Sequence, residues 1–306
     1  MNRFTEDLRE KLNKTRAPIT TGIYIRRLTT LNEDKPLQSM KFLMDFDSIC
    51  DRIKLMNRSL NTETSYLTAI SAVLSLFPKY RKLYKRYQGK MIENANIIKA
   101  GYEKNEKNDK QKESIVPLAE VIELREKLKN GIDLDNITKK NWNEYLGYVL
   151  LNIYTLISPR RNKDYAECFV TFDEPDKIDL DKNYYVVNDK KFIFNCFKTV
   201  NIYGTQTKIV TDELAEIIEQ FIKVRLSLDV PINDEFPLLV NYNGTRLHTV
   251  NGITRILNGI FGKNIGSSAL RHIFLTDKFG ALVAERKELA DEMAHSVQMS
   301  NQYVVN

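Results

Sequence analysis

Three cysteines, three histidines and one tryptophan are all that these 306 residues hold of those types. Cys50, Cys168 and Cys196 show no CxxC spacing, and the histidines are too few to complete a zinc site at workable spacing. The cysteines therefore read as small buried apolar residues in a reducing compartment. No run approaches the roughly 20 apolar residues needed to span a bilayer. The start, Met1-Asn2-Arg3-Phe4-Thr5-Glu6, lacks the apolar stretch of a signal peptide. A soluble, intracellular protein is expected, with no membrane partner and no zinc site. What is present is ordinary: 42% hydrophobic residues, 28% charged residues and a net charge of +6. That surplus permits a polyanionic partner but does not demand one. The length suffices for two domains, each burying its own core.

Residues 1–17 are polar and mixed in charge, and read as an arm or a frayed helix. Apolar residues at three- and four-residue steps then predict helices over Thr20–Leu31, Lys41–Met56, Thr64–Phe77 and Tyr80–Ile98. Residues 18–100 thus form a helical domain. The stretch 101–113, almost wholly charged or amide, reads as a linker. In 114–306, helices are expected over Leu118–Leu128, Trp142–Ile157, Asp212–Leu226, Thr249–Phe261, Ala269–Phe279 and Glu285–His295. Tyr184–Val187 and Lys191–Phe194, with Asn188-Asp189 between them, signal a β-hairpin. Lys208–Val210 offers a third strand, and Thr211 a cap for the acidic-headed helix that follows. The fold class is mainly α with a small antiparallel β-sheet.

Breaking a phosphodiester without a metal requires a nucleophile, positive charge on the non-bridging oxygens and an acid for the leaving oxygen. The last 40 residues are the richest in such groups: Ser268-Ala269-Leu270-Arg271-His272, then Ala294-His295-Ser296, then Asn301-Gln302-Tyr303. This order resembles the tyrosine recombinase (phage integrase) family, whose motifs read His-x-Leu-Arg-His, Leu-Gly-His-Ser and a tyrosine about nine residues on. Upstream, Ser158-Pro159-Arg160-Arg161-Asn162-Lys163-Asp164-Tyr165 follows an apolar helix, as the family's first catalytic arginine does. Its usual acidic residue three places later favours Arg161, paired with Asp164, over Arg160. Phe197-Lys198-Thr199 resembles the family's lysine on a β-turn. The Pro-Arg-Arg-Asn-Lys-Asp-Tyr form, in a Lys-, Asn- and Ile-rich chain, looks like recombinases of protist-infecting DNA viruses and virophages.

The resemblance covers nearly the whole chain. It implies a helical core-binding domain over 18–100, an α+β catalytic domain over 114–306 and double-stranded DNA as partner. It also implies a homotetramer on DNA and a monomer or dimer when free, in a host nucleus or cytoplasm if viral. Tyr303 would attack the scissile phosphate and form a 3′-phosphotyrosyl bond. Arg161 and Arg271 would hold the non-bridging oxygens, Lys198 would protonate the 5′ oxygen and His295 would donate a hydrogen bond to the phosphate. The family requires no metal or nucleotide for this.

Three departures stand out. Ser268 takes the place of a common histidine. Tyr303 follows His295 by eight residues, not nine. Only Val304, Val305 and Asn306 follow the tyrosine, so the tail helix by which many relatives dock on a neighbour is not expected.

Each residue also has a plainer reading. Arg271 could pair with a carboxylate, His272 could be a core or supporting histidine, and His295 could sit at a helix end for its dipole. The run Lys79, Arg81, Lys82, Lys85 and Arg86, interleaved with Tyr80, Tyr84 and Tyr87, is either a solvated face or a surface that tracks phosphates. Two other functions compete with recombination. One is relaxation of supercoils by a type IB topoisomerase-like enzyme, and the other is DNA binding with catalysis lost.

Overall fold

The computed structural model describes residues 2–103, 112–175, 177–228, 236–247, 250–297 and 299. The chain divides into two compact units, Met1–Lys107 and Asn108–Asn306.

The first unit is all-helical: α1 (Arg3–Asn13), α2 (Pro18–Leu31), α3 (Phe46–Leu55), α4 (Leu60–Leu74) and α5 (Arg81–Glu103). The opening segment is a docked helix, not an arm. Asn2 caps it by accepting from the Thr5 amide, and Leu8 and Leu12 are buried among Leu28, Leu31 and Leu74. Two leucines four residues apart were enough to seat it, although the helix is polar on average. The single helix expected over Lys41–Met56 is split. Lys41–Met44 is a 3-10 turn, and Asp45 stops it by accepting from the Ser48 amide to start α3. Helix α5 buries Leu83 and Tyr87, whose hydroxyl donates to the Leu43 carbonyl at 2.9 Å. The same helix leaves Arg81, Lys82, Lys85 and Arg86 exposed, with Lys79 exposed just before it. All five cations of the run therefore face solvent.

The second unit is built on α7 (Trp142–Leu156), ten of whose residues are buried. Around it lie α6 (Leu118–Gly131), α10 (Asp212–Ser227), α11 (Val250–Phe261) and the start of α12 (Ser267–Glu292). Trp142 fixes the top of the core, donating its indole N–H to the Val240 carbonyl at 3.0 Å. Two helices expected near the end of the chain are one. Helix α12 runs through Gly280 unbroken, because a single glycine costs a helix only about 1 kcal/mol.

A four-stranded sheet flanks α7, in the order β1 (Cys168–Thr171), β2 (Asn183–Val186), β3 (Lys191–Phe194) and β4 (Gln206–Ile209). The expected hairpin is present, with Tyr184 opposite Ile193, and β4 adds antiparallel to β3. The sheet is not wholly antiparallel, however. Strand β1 pairs with β2 in parallel, Phe169 beside Tyr184, after a crossover that starts at Phe172. Cys-Phe-Val-Thr is too short to show a period of two, so its strand was not legible. As expected, Thr211 caps α10, accepting from the Leu214 amide. Two short helices, α8 (Asn162–Ala166) and α9 (Val200–Tyr203), lie at the two connections that matter for the site. Among the described residues, no helix is long and apolar enough to cross a membrane.

Candidate active site

Three separate stretches of the second unit converge on one open cleft of about 820 Å³. The connection from α7 to α8 brings Arg161, the exit of β3 brings Lys198, and the first turn of α12 brings Ser268 and Arg271. Ser114, Asn162, Lys163, Asp164, Thr254 and Asn264 complete most of the wall. Among the lining residues, Arg161, Lys163, Lys198 and Arg271 are cationic and Asp164 alone is acidic.

The two neighbouring arginines part company. Arg161, in extended backbone at φ −76° and ψ 151°, precedes α8 and lines the cleft. Arg160 turns away from that role. Its Nε donates to Asp164 Oδ2 at 2.9 Å and its Nη1 to Gln206 Oε1 at 2.7 Å. Its guanidinium lies 4.0 Å from the Phe194 ring centroid and 4.7 Å from that of Phe197. Asp164, three places after Arg161 in the motif, thus forms its ion pair with Arg160. Arg160 lies before α8 and reaches Asp164 from outside the helix. Burial pushes the Asp164 carboxyl above the ordinary carboxylate range, and the Arg160 guanidinium recovers only part of that. Its Oδ1 has no hydrogen-bond partner among the described residues.

Helix α8 is pinned from behind. Tyr154 on α7 donates its hydroxyl to Asn162 Oδ1 at 2.6 Å, and Asn162 Nδ2 donates to Thr254 on α11 at 2.9 Å. Arg271 Nη2 donates to Ser268 Oγ at 3.1 Å and its Nε to the Ser267 carbonyl at 3.3 Å. These bonds hold the guanidinium over the start of α12. Gly266 precedes that helix without a capping side chain, so the amides of its first turn are available where Gly266, Ser267, Ser268 and Ala269 line the cleft. A helix start with open amides attracts anions, and here three cationic chains from other elements and Arg271 lie beside it. The arrangement suits a phosphate: guanidinium forks on its oxygens, a lysine nearby and few carboxylates to repel it.

Other expected residues lie elsewhere. His295 follows the end of α12, its Nδ1 3.1 Å from the Met293 carbonyl, and does not line the cleft. His272 is exposed on α12, neither in the core nor on the cleft wall. Tyr303 lies outside the described residues. Lys163, Ser114, Thr254 and Asn264 were missed. Lys163 could have been suspected from the Arg160–Asp164 cluster, whereas the others are polar residues of a common kind, brought in by packing alone. Among the described residues, no group of three or more His, Cys, Asp or Glu side chains could hold a metal ion.

No family model matches this sequence, and no curated protein does. Solved structures align with the chain. Among them is the crystal structure of XerA recombinase, matched over 100% of this chain and 94% of its own. Identity is 13% and the TM-score 0.36, a likeness too distant to assign a role to any residue.

Proposed function

We propose that this chain breaks and rejoins DNA strands as a tyrosine recombinase. The observation that carries the reading is the convergence of Arg161, Lys198 and Arg271 on one cleft from stretches far apart in sequence. Those are the residues that the motif order had singled out, and Ser268 joins them.

In this reading the Tyr303 hydroxyl gives up its proton to solvent as its oxygen attacks the scissile phosphorus. The P–O5′ bond breaks, its electron pair leaves on the 5′ oxygen, and Lys198 supplies the proton that makes it a hydroxyl. Arg161 and Arg271 hold the non-bridging oxygens and neutralise the charge that builds in the pentavalent transition state. The amides of the first α12 turn add a fixed dipole to the same end. His295 adds a hydrogen bond once DNA is bound. Reversal, with a 5′ hydroxyl from another strand attacking the phosphotyrosine, rejoins the DNA without external energy. Integration or excision of a mobile or viral genome is the use this chemistry fits, on a tetramer assembled over two duplexes.

The first unit then acts as a core-binding domain, with Lys79, Arg81, Lys82, Lys85 and Arg86 on backbone phosphates. The exposure of all five, Lys79 before α5 and the other four along its first turns, supports that role.

Incubation with nicked duplexes at low salt tests the proposal. A covalent protein–DNA adduct is expected from the parent chain and not from Tyr303→Phe. An adduct that survives Tyr303→Phe would contradict the nucleophile. No adduct with any duplex would favour DNA binding without catalysis.

A further inference from the structure

Asn183 ends at the first position of β2, opposite Phe194 on β3 and beside Cys168 on β1. Its side chain is fully buried and uses all four of its hydrogen-bonding positions. Oδ1 accepts from the amides of Asn195 at 2.8 Å and Cys196 at 2.7 Å. Nδ2 donates to the Asp164 carbonyl at 2.7 Å and to the Cys196 carbonyl at 3.0 Å. Past Phe194 the chain leaves the ladder, and this one amide continues the hydrogen bonding that the neighbouring strand no longer supplies. Lys198 comes two residues after Cys196, and Arg161 three residues before Asp164.

Asn195 extends the brace. It donates to the Lys182 carbonyl at 3.1 Å and accepts from Thr205 Oγ1 at 2.9 Å, closing the base of the loop that carries Lys198. Phe197 anchors the same loop, buried and stacked on Arg160. The loop tip, by contrast, is open: Ile202 and Tyr203 are 75% and 65% exposed. A lysine on such a loop holds its place only as well as the loop's base does.

We infer that Asn183 is a positioning residue that sets Lys198 in register with Arg161, by tying the exit of β3 to the backbone of α8. This rests on the proposed function only for what Lys198 then does. The brace itself is a matter of hydrogen bonds, and the two parts have separate tests.

Hydrogen exchange of Asn183→Ser tests the brace. Faster exchange is expected at the amides of residues 195–203, with the buried peptide 146–154 of α7 unchanged. Unchanged exchange at 195–203 would overturn the inference. Should Asn183→Ser loosen the whole unit, Asn183→Asp serves instead, keeping the shape and the oxygen that accepts from Asn195 and Cys196 while losing the amide N–H groups that reach the Asp164 and Cys196 carbonyls. Global loosening in both variants would also overturn it, making Asn183 a general stability residue.

The catalytic consequence uses a duplex with sulfur in place of the bridging 5′ oxygen. A thiolate leaves without being protonated, so the substrate bypasses the acid. The Asn183 variant is expected to cleave the oxygen substrate at least tenfold more slowly than the parent chain, and the sulfur substrate at the parent rate. Equal slowing on both substrates would contradict positioning of Lys198. If the parent chain forms no adduct with either substrate, the proposed function fails, while the exchange result stands by itself.

Discussion

Replacing Arg160 with methionine separates a brace from a phosphate ligand, and the structure sets the size of the effect. Methionine keeps the apolar stem against Phe194 and Phe197 but removes the fork to Asp164 and Gln206. Asp164 is 2% exposed, so its carboxylate would be left buried without its cation. Removing one partner of a buried pair costs about 3–5 kcal/mol. The carboxyl can escape by taking a proton, which from an ordinary value of 3.8 costs about 4 kcal/mol at pH 7. Burial already raises Asp164 in the parent chain, so part of that cost is present before the substitution. A loss of about 2–3 kcal/mol follows at pH 7.

The pH dependence has a definite sign. Where the folded carboxyl titrates above the unfolded one, the folded chain holds the extra proton, and stability falls as pH rises through that window. Arg160→Met moves the folded value further up. The gap between variant and parent should therefore widen from about 1 kcal/mol or less near pH 4 to its full size at pH 7. Urea unfolding followed by fluorescence reads this directly, because Trp142 is the only tryptophan, buried in the core of the second unit. Arg160→Met with Asp164→Leu should recover most of the loss. Arg161→Ala, which removes no ion pair among the described residues, should change stability by no more than about 0.5 kcal/mol. A loss under about 0.5 kcal/mol for Arg160→Met, or one that does not vary with pH, would refute the reasoning.

Two further outcomes are expected. Gly147→Ala should destabilise the second unit by about 1–2 kcal/mol despite its better helix propensity, because a Cβ there would lie 2.8 Å from Ile260 Cγ2; urea unfolding reads it, and a stabilised variant would contradict the packing. Replacing Arg81, Lys82 and Lys85 together by alanine should weaken binding to unrelated duplexes alike and flatten the plot of log affinity against log salt by about 2–3; an unchanged slope would remove this face from the DNA contact.

Much of the architecture was legible because its signals are local. The period of Leu67, Ile70, Val73 and Leu74 marks α4, and Thr211 before Asp212 and Glu213 marks the start of α10. The hairpin was legible from its β-branched and aromatic runs. What escaped depends on partners distant in sequence. Strand β1 owes its state to β2, and α1 to a core formed with later helices of the first unit. At the site, motif order alone singled out Arg161, Lys198, Ser268 and Arg271, and the fold brings all four to one wall. The choice of Arg161 over Arg160 rests on motif spacing alone, and that spacing does not reveal that Asp164 is the ion-pair partner of Arg160. Asn183 carries no motif at all. Its role exists only where two backbone segments meet.

The most direct measurement takes the covalent adduct, digests it with trypsin after nuclease trimming, and finds the nucleotide by mass spectrometry. The peptide of residues 288–306 is expected to carry a 3′-linked nucleotide on Tyr303, and the modified peptide to vanish in Arg161→Ala and Arg271→Ala. A nucleotide on any other residue, or undiminished yield in both arginine variants, would contradict it.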